Sequence, residues 1–99
     1  MKYNVNIGDA WYGYTVNVSP MFVLAFNCEE GIKCLDGLFG NKASMIIESA
    51  IKYFTENKKL LSEFNRDKAE GSYIGALNFL RNIHAECLNH KRRKISITL

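Results

Sequence analysis

Two histidines, three cysteines and one glycine-rich loop are the places where this 99-residue chain could do chemistry. His84-Ala85-Glu86 supplies the first half of the zinc-deaminase signature, which a Pro-Cys-x-x-Cys must follow to complete the metal site. None follows: Cys87 is adjacent, and Cys28 and Cys34 lie upstream with five residues between them. His84 and Cys87 are three apart, so one helix face could present both. A zinc site from Cys28, Cys34, His84 and Cys87 still lacks the tight ligand pairs, about two to four residues apart, that structural zinc uses. No metal ligand is assigned.

Nucleophilic catalysis needs a nucleophile, a base and an orienting group. Neither His84 nor His90 sits in a catalytic motif. Two histidines near basic residues could run acid–base cleavage of RNA, but nothing else supports it. His84 reads as a partly exposed helix histidine and His90 as a cation at a helix C-terminus. Gly37-Leu38-Phe39-Gly40-Asn41-Lys42-Ala43-Ser44 has the residue types of a phosphate loop without its spacing: two residues separate the glycines, and Asn41 precedes the lysine. A helix N-terminus there could hold an anion; a plain helix-capping loop is the simpler reading. No catalytic residue and no cofactor are assigned, and the chain reads as non-enzymatic.

Two clusters remain. His90-Lys91-Arg92-Arg93-Lys94 is a run of five potential cations. With Arg81 it forms the candidate nucleic-acid contact: Arg81, Lys91, Arg92, Arg93 and Lys94 would neutralise phosphates. The competing reading is a solvated connector that keeps a strand edge from pairing. No aromatic is interleaved near 90–94, so the base-stacking signature is missing there. Trp11-Tyr12-Gly13-Tyr14 is the other cluster. Tyr12 and Tyr14 share one strand face and Trp11 points the other way. An aromatic at a hairpin tip suits an interface anchor, so Trp11, Tyr12 and Tyr14, with Asp9 in the turn, form the candidate partner-binding set.

The elements that must carry these residues follow from periodicity. Lys2–Ile7 alternates, with Tyr3, Val5 and Ile7 on one side. Residues 12–18 alternate as well, and Gly8-Asp9-Ala10 supplies the turn of a β-hairpin. Residues 94–99 alternate again through Ile95, Ile97 and Leu99, and this third strand should join the hairpin, since two strands alone are marginal. Asn4, Asn6, Thr15 and Asn17 would line the sheet face away from the core. Ser19-Pro20 signals a helix start, with Ser19 able to cap, and a helix is expected over 20–36, broken near Gly31. The rival reading makes Met21–Phe26 a buried strand. After punctuation at 36–41, a helix over 42–65 buries Ala43, Ile47, Ala50, Phe54, Leu61 and Phe64. Its other face, Glu48 to Arg66, alternates in charge at spacings of three and four. Asp67 and Glu70 fit a capping arrangement for a last helix over 68–89, with Tyr73, Ala76, Leu77, Leu80, Ile83 and Cys87 as its stripe.

Residues 1–99 are therefore expected to form a single compact domain of the α+β class. An N-terminal β-hairpin and a C-terminal strand make a small antiparallel sheet against about three helices, in the order β-β-α-α-α-β. The longest apolar run, Met21–Phe26, is six residues, far short of a membrane span. The polar–apolar alternation of the N-terminus is not a signal peptide. Three cysteines without such a leader suggest buried free thiols in the reducing cytoplasm.

Charge is unevenly spread. Residues 1–50 carry three cations against five anions, and residues 51–99 ten against five, for a net +3. That is mild for a nucleic-acid binder and far from the acidity of a DNA mimic. A lone small domain rich in Asn, Lys and Ile suits a bacterial or phage accessory gene. The leading expectation is a cytoplasmic protein that binds and neutralises another protein, as immunity proteins and anti-defence inhibitors do. The alternative is a small nucleic-acid-binding protein working through residues 90–94.

Overall fold

A computed structural model describes residues 1–65 and 71–99. The fold has the expected α+β order, with four α-helices among the described residues. Strand β1, Lys2–Ile7, pairs antiparallel with β2, Ala10–Thr15, from Ile7↔Ala10 to Lys2↔Thr15. The loop between them is only Gly8-Asp9, and Gly8 takes φ +57°, which a tight hairpin needs at its first position. Ala10 and Trp11 therefore belong to β2 and not to the turn. Strand β3, Ser96–Thr98, joins the other edge of β1, through Asn4↔Thr98, Val5↔Ile97 and Asn6↔Ser96. The order β2-β1-β3 puts the first strand in the centre. Tyr3, Val5, Ile7, Ile95 and Ile97 are buried on one face, as alternation requires.

The second strand stops sooner than expected. Val16–Val18 is a single 3₁₀ turn, because the Thr15 hydroxyl accepts from the Asn17 amide at 3.2 Å and bends the chain. Asn17 is thereby removed from the sheet face. Helix α1 follows at Ser19–Phe26, so Met21–Phe26 is helical. Ser19 is a helical residue, not the cap; the cap position is Val18, and no side chain bonds there.

The expected single helix over 20–36 is divided well before Gly31. Asn27 adopts the left-handed conformation (φ 51°) and ends α1, its amide bonding back to Leu24 O. Gly31 (φ +58°) opens a 3₁₀ turn over Gly31–Leu35. This folded-back loop brings Cys28 to Cys34, and the two form a disulfide with Cα atoms 6.8 Å apart. The expectation of three free thiols is corrected for this pair. Cys87 alone among the three is free, and it is buried.

Helix α2, Gly40–Glu56, buries Ala43, Ile47, Ala50 and Phe54. It ends at Asn57, whose side-chain amide donates to Tyr53 O at 3.0 Å, and a short α3, Lys58–Ser62, resumes. The expected helix over 42–65 is thus two pieces, and Glu56, Lys59 and Glu63 of the charge ribbon border one shallow groove across the break. Of that ribbon, Lys52–Glu56 forms an ion pair at 3.9 Å among the described residues, with both side chains exposed, and such a pair contributes little. The capping arrangement at Asp67–Glu70, and Arg66, lie outside the described residues.

Helix α4, Tyr73–Asn89, is capped by Ser72, whose hydroxyl accepts from the Gly75 amide at 3.1 Å. Its expected stripe is buried throughout, with Phe79 added. Tyr73 donates its hydroxyl to Phe54 O at 2.6 Å and so ties α4 to α2 across the core. Helices α1, α2 and α4 cover the apolar side of the sheet and leave its other side open.

Candidate functional site

The basic connector is not a loose link. Its backbone runs antiparallel to residues 37–41 and is bonded to them repeatedly. The Gly40 amide donates to Arg93 O at 2.8 Å and the Asn41 amide to Lys91 O at 3.1 Å. The Ile95 amide donates to Leu38 O, and the Gly37 amide to Ile95 O, both at 2.8 Å. The approach needs glycine at position 40: a Cβ there would lie 2.6 Å from Cys87 O and clash with His90 O as well. Inward carbonyls satisfy the first amides of α2, and the side chains of Lys91, Arg92, Arg93 and Lys94 stay exposed. The same bonds occupy the amides that a phosphate would need at the 37–44 loop, so that anion site is closed.

Pairing extends the sheet by one position. Phe39 and Lys94 form an antiparallel bridge beyond β3. Paired residues share a face, and the Lys94 ammonium lies 5.5 Å from the centre of the Phe39 ring. Phe39 is 49% exposed. It was not among the residues the sequence singled out. Its one signal was an aromatic set among turn residues, and its partner lies 55 positions away.

Trp11 occupies the same open face from the other side. It pairs with Asn6, which pairs in turn with Ser96. Its ring folds over Gly13, where a Cβ would lie 3.3 Å from the ring, and Lys2 Nζ sits 5.8 Å from its centre. Trp11 is 54% exposed. Asn6 and Ser96 lie between the two with uncharged polar groups, and Asn4 and Thr98 continue the polar surface on the side away from Phe39.

The other residues of the hairpin cluster face away. Tyr14 stacks on Phe79 with ring centres 5.5 Å apart, and its hydroxyl accepts from the Ser72 amide at 3.1 Å. Tyr12 is half-buried against the core. Asp9 is exposed in the hairpin turn, beside the His90 ring that packs on Gly8. Trp11 and Asp9 are thus accessible at this end of the molecule, while Tyr12 and Tyr14 serve the interior.

The basic set is also divided. Arg81 is exposed on α4 but lies about 12 Å along the helix from its end at Asn89. Lys42, in the first turn of α2, is exposed next to Asn41 and joins the connector instead. Two nearby carboxylates are already engaged. Asp36 accepts from the Ile97 amide at 2.8 Å, and Glu86 lies 3.7 Å from His90 Nε2.

The remaining chemistry is disposed of by geometry. Cys28 and Cys34 are bonded to each other, which dissolves the four-residue zinc set. Among the described residues, no three His, Cys, Asp or Glu side chains cluster to hold a metal. Burial, with Glu86 next to it, pushes the Cys87 thiol up to about 11, so it is no thiolate at neutral pH. No described helix is long and apolar enough to cross a membrane. No family model matches the chain, and no curated protein or solved structure matches it either.

Proposed function

We propose that this protein binds nucleic acid, holding phosphates with Lys91, Arg92, Arg93 and Lys94, and with Lys42 beside them. One observation carries the reading: four consecutive cations ride on a backbone pinned to residues 37–41, so little ordering entropy is lost on binding. Arg81 is left out of the contact set because it stands apart along α4. The protein acts as a binder and not as an enzyme. The Cys28–Cys34 bond takes away the cysteine part of the argument for a cytoplasmic placement.

The inhibitor reading, in which another protein is the partner and Trp11 with Asp9 the anchor, keeps one observation: Trp11 is exposed beside the hairpin turn. It loses Tyr12 and Tyr14 as contacts, which leaves the aromatic anchor a single ring.

The test is a fluorescence titration with single-stranded RNA and duplex DNA, at roughly 50 and 200 mM salt. Five phosphate contacts should weaken single-strand binding about 130-fold over that range, and duplex binding about 500-fold. Replacing Arg92 and Arg93 by Ala should lower both affinity and salt slope. Absence of binding at the lower salt overturns the reading and turns the search to a protein partner.

A further inference from the structure

We infer that the open face of the sheet is a stacking platform for single-stranded nucleic acid, with one base on Trp11 and another on Phe39. This deepens the nucleic-acid reading and rests on it. The argument begins with the alternation of side chains. Ile95 and Ile97 are buried, so Lys94 and Ser96 point to the opposite, open side. Ser96 is paired through Asn6 to Trp11, and Lys94 is bridged to Phe39. Two half-exposed aromatic rings therefore stand on one surface, although they come from distant parts of the chain.

Their separation suits a strand of nucleotides. Three strand spacings and a two-residue offset put the rings about 16 Å apart. At the stacked rise of about 3.4 Å that distance holds about five nucleotides, and fewer when the strand is extended. A duplex keeps its bases stacked on each other and offers no free π-face to either ring.

Each ring also has a lysine beside it, Lys2 at Trp11 and Lys94 at Phe39. An arriving base exchanges its own π-face for the ammonium, and the displaced lysine meets the neighbouring phosphate. Asn6 and Ser96 between the rings can donate to and accept from base edges. A protein partner would be served by a continuous apolar centre, and here the aromatic rings are separated by polar side chains. The occupant is identified by charge: Lys2 and Lys94 stand on this face, the four-cation connector borders it, and Asp9 at its rim is outnumbered.

Trp11 is the sole tryptophan, so its emission reports the platform directly. The probes are an eight-nucleotide oligothymidine, the corresponding oligouridine and a duplex hairpin. Single strands should quench Trp11 to saturation and the duplex should not. Phe39→Ala should weaken single-strand binding roughly ten-fold, with the salt slope and the duplex affinity unchanged. Trp11→Ala, followed with a labelled oligonucleotide, should behave alike, and Trp11→Phe should restore most of the loss. Both positions are on the surface, and circular dichroism checks that the variants stay folded. Saturating single-strand binding with unaltered Trp11 emission overturns the platform and leaves the phosphate contact standing. So does an equal loss of single-strand and duplex affinity in Phe39→Ala. Failure to bind any of the three probes removes both readings and leaves the face to a protein partner.

Discussion

The His90 imidazole rests on Gly8, so closely that a Cβ at position 8 would lie 2.6 Å from His90 Nδ1. The contact joins the end of α4 to the hairpin turn and holds the connector's first residue against the sheet. Gly8 also has φ +57°, a conformation that side chains disfavour. Gly8→Ala should therefore destabilise the protein by about 1–3 kcal/mol, read by urea unfolding. Repeating it in a His90→Ala background separates the two causes. The clash disappears there and the backbone strain stays.

Tyr14 looks like part of a binding cluster in the sequence and works as a strut in the structure. Its hydroxyl receives the Ser72 amide at the start of α4, while its ring stacks on Phe79. Tyr14→Phe should cost about 1 kcal/mol of stability, since a half-buried N–H loses its acceptor. Oligonucleotide affinity should not change. Unchanged stability with weakened binding would put the hydroxyl on the working surface instead.

Asp9 separates the two readings of function. It is an exposed anion at the rim of a cationic end. In the nucleic-acid reading, Asp9→Asn removes a repulsion from phosphate and should tighten single-strand binding about two-fold at low salt. In the inhibitor reading Asp9 is an anchor, and the same change weakens capture of the partner. Unchanged or weaker oligonucleotide binding would take Asp9 away from the edge of the interface.

The Cys28–Cys34 bond closes a short loop, and such a loop contributes about 2 kcal/mol through the unfolded state. Cys28→Ser with Cys34→Ser, or added reductant, should lower the unfolding midpoint accordingly. Thiol titration in denaturant without reductant should find Cys87 alone. Three reactive thiols would show that the bond is absent.

The sheet and the buried stripes were legible because they depend on periodicity. Tyr3, Val5 and Ile7 repeat every second residue, and Tyr73, Leu77, Leu80 and Ile83 every third or fourth, whatever the rest of the chain does. The breaks were hidden because they depend on single backbone angles. Asn27 ends α1 by going left-handed, and nothing in its spacing announces that. The disulfide was missed for the same reason: that reversal is what brings Cys28 round to Cys34. At the candidate site, the cations and Trp11 could be read from their types. Phe39 could not, since its neighbour Lys94 reaches it only through pairing of remote segments. Tyr14 joins the binding set by its aromatic type, although alternation with Thr15 already puts it on the core side, where it meets Phe79 and the Ser72 amide.

The central position of β1 has a consequence for how the protein is made. The hairpin can close as soon as residue 15 is free, since its contacts are local. The opposite edge of β1 finds its partner only when residues 96–98 have been synthesised. Until then the growing chain carries an open strand edge and an uncovered apolar face, the kind of surface that chaperones hold. Residues 96–98, ninety or more positions from the residues they pair with, are the ones that complete the sheet.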